Sequence, residues 1–177
     1  MSKLAVAGAL VLLMVSACTG KDPYNPGTAM GSFDVTGKLV ANGCGTAGTA
    51  PDPWTFRVKL ARDPSTLYWI QGDVPVSGIL DARTHAKLLA TATTIARKPD
   101  AQHGVSGCAI QRDDTVEATL GGLTSEGKVD TFTGSLAYKF SASADSDCSD
   151  QVSGGGFTAL PCSVAYEIRA VRNPGVK

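Results

Sequence analysis

Aromatic residues make up only 6% of this 177-residue chain, with two tryptophans and two histidines, and there is no net charge. Lys and Arg number 16, and so do Asp and Glu. No clustered excess of cations draws the chain to nucleic acid. Beyond residue 18 no apolar run approaches the ~20 residues of a membrane-spanning helix. Four of the five cysteines, Cys44, Cys108, Cys148 and Cys162, lack the close pairing (C-x2-C) that a four-thiolate zinc site wants. Neither G-x-S-x-G nor H-E-x-x-H occurs, so the local marks of the common serine hydrolases and zinc peptidases are missing. Gly154, Gly155 and Gly156 follow one another without a P-loop lysine, which makes them a loop and not a phosphate cradle.

What is present begins at the amino terminus. Lys3 supplies a short basic start, residues 4–15 (LAVAGALVLLMV) are apolar and uncharged, and small Ser16 and Ala17 precede Cys18. The run is too short for a permanent span and has the three-part layout of a secretory signal. Val15-Ser16-Ala17-Cys18 resembles the lipobox of bacterial lipoproteins, which ends in a small residue and a cysteine. The resemblance implies cleavage before Cys18, a diacylglycerol on its sulfur and a further acyl chain on its amine. Two or more chains anchor stably, at ~0.8 kcal/mol per buried methylene. The next residue is Thr19 and not aspartate, which under the enteric sorting rule implies the outer membrane.

Removing residues 1–17 leaves 160, enough for one ordinary domain with a proper core. Residues 18–30 hold two prolines and two glycines and read as the lipidated start of a flexible tether. Such a tether has an r.m.s. span of roughly 20 Å. Residues 31–177 form the single expected domain. With Cys18 assigned to lipid, the other four cysteines predict two disulfides in an oxidising compartment. Of the three possible pairings we favour Cys148–Cys162, closing a local loop, with Cys44–Cys108.

Period-two alternation dominates that domain. Phe33, Val35, Gly37 and Leu39 share one face, and Trp54, Phe56, Val58 and Leu60 share another. Short strands are predicted at 66–71, 75–80, 108–111 and 115–120. The region from His85 mixes helix-favouring Ala and Leu with strand-favouring Thr, and we read it as a strand. The clearest alternations run through Phe132, Leu136, Tyr138 and Phe140, and through Cys162, Val164, Tyr166 and Ile168. Eight or nine strands in series, joined by short turns, predict an all-β antiparallel meander closing into a small barrel, with a β-sandwich as the alternative.

Three groupings are candidate sites. Trp54, Tyr68 and Trp69 are placed to line the mouth of a small barrel, although filling its core is their commoner use. Asp145, Asp147 and Asp150 surround Cys148 and invite a calcium reading, but they lack EF-hand spacing and read as a solvated turn. His85 and His103 are the two histidines, and Ser106, Asp113 and Asp114 supply triad residue types near His103 without any evidence of a triad. The expectation is therefore a lipid-anchored outer-membrane lipoprotein that binds or scaffolds and does not catalyse. It needs no cofactor or metal, and its partners are the membrane and an envelope protein or glycan. A barrel carrying a small apolar ligand is the alternative, with a hydrolytic enzyme third.

Overall fold

The computed structural model describes residues 22–48, 51–81, 84–122 and 124–175. Cys18 and its lipobox lie outside the described residues. The strands are β1 (Thr28–Asn42), β2 (Trp54–Asp63), β3 (Thr66–Ile70), β4 (Val76–Asp81), β5 (His85–Arg97), β6 (Cys108–Gly121), β7 (Thr131–Ala142) and β8 (Cys162–Arg172). One short helix, α1 (Ser149–Ser153), sits between β7 and β8. The strands pair in sequence order, each antiparallel to the next, and β8 closes on β1. The domain is a closed meander barrel, and the sandwich alternative falls.

The alternation read from the sequence is the alternation of inside and outside. Phe33, Val35, Val58, Leu60, Leu67, Leu88, Val116, Ala118, Phe132, Val164 and Tyr166 are buried in one core. Asp34, Thr36, Lys38, Arg57, Lys59, Glu167 and Arg169 are exposed on the outer face. Apolar inside and charged outside is the reverse of a barrel that crosses a membrane. Gly134 faces inward on β7, where a Cβ would run into the Glu117 carbonyl of β6. A side chain there would push the two strands apart, so the close approach needs glycine.

Two sequence boundaries move, and one ambiguous reading stands. The segment from His85 is a strand, as read. The predicted strands 108–111 and 115–120 are one, because Arg112 and Asp114 keep step with inward-facing Ile110, Val116 and Ala118. The tether ends sooner than residue 30: β1 starts at Thr28, and a bulge between Ala29 and Gly31 turns Met30 into the core. An extra residue in one strand of a pair re-aims its side chain in this way.

The barrel has two unlike ends. At one end lie the start of β1, the end of β8 and the entering tether. There Phe33 and Phe132 meet edge to face at 5.3 Å, Trp69 packs on Phe132 at 5.7 Å, and Met30 and Val129 fill the remaining space. Arg172 closes this end, donating to the Met30 carbonyl at 2.7 Å and lying 5.6 Å over the Phe33 ring. The opposite end is higher on one side. β5, β6, β7, β8 and β1 rise well above the short hairpin of β3 and β4, so the wall there is low.

Both disulfides lie at the higher end, and their pairing differs from the favoured one. Cys44 joins Cys162 and Cys108 joins Cys148, with Cα separations of 5.1 and 5.0 Å. The reason is strand register. Cys44 follows the end of β1 and Cys162 opens β8, its neighbour in the barrel. Cys108 opens β6, and Cys148 follows the end of β7 beside it. Spacing along the chain favoured a local loop, whereas closure of the barrel brings distant strand ends together.

Candidate functional site: an aromatic recess at the open end

Toward the open end several inward-facing residues are no longer fully buried, although Val164 and Tyr166 of β8 still are. Trp54 and Phe56 from β2, Tyr138 and Phe140 from β7, and Phe157 from the β7–β8 connection pack against the core while keeping partial exposure. Their rings form a continuous line. Trp54 meets Phe56 at 4.4 Å, Tyr166 at 5.4 Å and Tyr138 at 6.3 Å. Tyr138 meets Phe140 at 6.4 Å, and Phe140 meets Phe157 at 5.4 Å. Beside this line Ala92, Thr94, Ile110, Arg112, Phe140 and Phe157 enclose a recess of about 290 Å³.

The polar feature of the recess is a forked ion pair. Arg112 donates through Nε to Asp114 Oδ1 at 2.7 Å and through Nη2 to Oδ2 at 2.8 Å. The guanidinium also lies 5.1 Å over the Tyr138 ring. A planar guanidinium engaged edge-on by a carboxylate and face-on by an aromatic ring is held in one orientation. Burial pushes the Asp114 carboxyl above its usual range, and Arg112 pulls against that shift. Burial, and then the nearby Asp114 charge, push the Tyr138 phenol well above the ordinary tyrosine range.

The connection between β7 and β8 roofs one side of the recess and is fastened at several points. Besides the two disulfides, Thr158 N–H donates to the Cys44 carbonyl at 3.0 Å. Arg97, at the end of β5, donates to the Ser106 carbonyl at 2.9 Å and the Asp147 carbonyl at 2.7 Å, and pairs with the Asp150 carboxylate. Phe157 is thereby carried onto Phe140.

The predicted site residues disperse. Trp54 does not line the recess and is joined to it through Tyr138 and Phe140. Trp69 is 4% exposed and belongs to the core. Tyr68 points to the outer face, where its hydroxyl donates to Asp63 Oδ2 at 3.0 Å. The mouth expected of Trp54, Tyr68 and Trp69 is thus corrected: Trp54 stands half-buried toward the open end, Trp69 lies in the core, and Tyr68 is on the outer face, since adjacent residues of a strand face opposite sides. In the acidic turn Asp150 engages Arg97, which lowers its pKa, and Asp147 is lowered by the Ser149 hydroxyl first and then by the Ser149 N–H, which it accepts at 3.1 Å. No group of His, Cys, Asp and Glu able to hold a metal occurs among the described residues.

The triad residue types are not brought together either. His85 opens β5 at the tether end, whereas His103 lies in the β5–β6 loop at the other. His103 is paired with Asp100 at 2.7 Å and is exposed, while Asp114 is held by Arg112 inside the barrel. Sequence reading missed Arg112, Phe140 and Phe157 as site residues. For Arg112 the signal was available, because it lies in phase with Val116, Ala118 and Leu120.

No protein-family model, curated protein or solved structure matches the chain.

Proposed function

We propose that this chain is a cell-envelope lipoprotein, cleaved before Cys18, anchored by its lipid in the outer membrane, and acting as a non-catalytic binding module. The Val15-Ser16-Ala17-Cys18 pattern supports the anchor. Two disulfides suit an oxidising compartment. The tether enters at the filled end, so the recess lies at the end of the barrel farther from the tether. The observation that carries the binding role is the recess itself. Half-buried aromatic faces beside a fixed Arg–Asp fork offer stacking, a donor and an acceptor together, the usual recipe for orienting a small ligand or side chain. An envelope glycan or a protein side chain has matching chemistry.

Mass spectrometry of the mature protein tests the anchor: an N-terminal Cys18 carrying acyl chains is expected, and an intact Met1 without fatty acid defeats it. For the recess, Trp54 is the reporter, because it packs on Tyr138, the ring that Arg112 covers. Adding soluble peptidoglycan fragments is expected to quench tryptophan emission, with Arg112→Met weakening the effect at least tenfold. The line of rings from Trp54 to Phe157 also favours a second reading, a carrier of a small apolar ligand. In that case quenching comes with a fatty acid instead, and lipid is extracted from the purified protein. Silence toward both probes removes the recess as a binding site.

A further inference from the structure

The low wall of the barrel leaves one strand edge without a neighbour. β6 pairs with β5 along its whole length, from His85 to Arg97. On the other side β4 pairs only with His85, Ala86, Lys87 and Leu88. Residues 89–97 of β5 therefore present alternate N–H and C=O groups to solvent, and among the described residues no ladder covers them. Leu89 is 63% exposed and Ile95 65% exposed on the outer face of this segment.

Exposed edges are ordinarily blunted by lysine, proline or a bulge. The facing free edge of β2 follows that rule, with Pro53 just before it and Arg57 within it. The β5 edge does not. Between Lys87 and Arg97 it reads Leu-Leu-Ala-Thr-Ala-Thr-Thr-Ile-Ala, without charge, proline or glycine. Its sole irregularity is a register shift between Ile95 and Arg97, at the far end.

We propose that this edge pairs antiparallel with the same edge of a second copy, about a two-fold axis at Thr93. The register places Thr93 opposite Thr93, Thr91 opposite Ile95, and Ala92 opposite Thr94. Thr–Thr and β-branched pairs of this kind stabilise antiparallel ladders. The cations flanking the edge are already neutralised, Lys87 by Glu117 at 2.9 Å and Arg97 by Asp150. An uncharged edge fits an uncharged strand, and its own copy is one. A two-fold interface of this kind uses the same patch on both partners and closes as a dimer. The paired segment is short beside the ~800 Å² per partner of a standard interface. The dimer is therefore weak in dilute solution and gains from the high effective concentration of a shared surface. The proposal does not rest on the binding recess.

The test uses the exported protein in detergent, followed by sedimentation over a wide concentration range. Wild type is expected to pass from monomer to dimer. Thr93→Lys places like charges face to face and is expected to weaken dimerisation by at least tenfold, with an unchanged melting curve because the side chain is exposed. Thr93→Cys is expected to form a disulfide between the introduced thiols of two copies at least ten times faster than Thr133→Cys, whose strand is paired on both sides. Both variants keep the native amino terminus, so a failed anchor reading does not affect the comparison. A monomer at every concentration overturns the proposal, as does equal cross-linking at the two positions. Cross-linking of Thr93→Cys to a different envelope protein, without homodimer, overturns it in favour of a foreign strand.

Discussion

The two ends of this barrel are built from the same strands and obey different rules. At the tether end the inward positions are Phe33, Leu60, Leu67, Leu88 and Phe132, buried and in contact from all sides. At the other end the same alternation continues through Ala92, Thr94, Ile110, Arg112, Tyr138 and Phe140, but β5 outruns β4 and these inward positions are open to water. Covalent links add to the packing at this end, where both disulfides are found with Cys44, Cys108 and Cys148 buried. Hydrophobic burial holds the filled end, while chain constraint and the contacts of Arg97 and Arg112 supplement it at the open one.

The largest test of that contrast removes the links. In the chain-entropy account, loops of 118 and 40 residues contribute at most about 5 and about 4 kcal/mol. Replacing Cys44 and Cys162 by alanine is expected to lower stability more than replacing Cys108 and Cys148, as read by urea unfolding. Peptide mapping under non-reducing conditions checks the pairing itself. Equal losses from the two double variants would show that loop length does not set their contribution.

Next come paired truncations of one residue type. Phe132→Ala at the filled end is expected to cost about 4 kcal/mol, since it opens a cavity that cannot collapse. Phe140→Ala at the open end should cost less than half as much, because water already reaches that ring. Similar losses at both positions would erase the distinction between the ends.

Arg112→Ala should cost about 1–2 kcal/mol, by leaving the half-buried Asp114 carboxylate without its partner. Carboxyl titration by NMR should then show Asp114 raised further, because Arg112 is the group opposing the effect of burial. An unmoved Asp114 would mean that the fork does not persist in solution.

The smallest effect is one of pH, and its sign differs between the recess and its roof. Asp114 has a raised folded-state pKa, so it favours the folded form increasingly as pH falls through that raised value. Asp147 and Asp150 have lowered values, so their contribution is present above the ordinary value of 3.8 and is lost as pH falls through the folded values. Protection of the β7–β8 connection against hydrogen exchange, relative to the intrinsic rate at each pH, should therefore fall below about pH 4. Asp150→Asn should abolish most of that loss. Protection that does not change with pH would show that the Arg97 clamp contributes little.

Much of the fold was legible because a barrel strand is written in period two. Phe33, Val35, Val58, Leu60, Phe132 and Leu136 were placed inward by alternation alone, and the series of short strands implied a meander. The break expected between Gln111 and Thr115 was wrong for a physical reason: a polar inward residue ends a strand only where the interior is dry. Arg112 and Asp114 lie where it is wet. Tyr68 and Trp69 could have been separated from sequence, since neighbours in a strand face opposite ways. Phe157 could not, because nothing in its loop shows that two disulfides and Arg97 bring it to Phe140.

By itself, the sequence determined the strands, their inner and outer faces, the even number of cysteines left after Cys18 and the lipobox-like start. Those features are local: they depend on residue type and on spacing of a few positions. Tertiary structure alone decided which cysteines join, which aromatic residues stay half exposed, and that the edge of β5 outruns β4. Each of these depends on strand register around a closed barrel, which sets distant residues side by side and which no local pattern encodes.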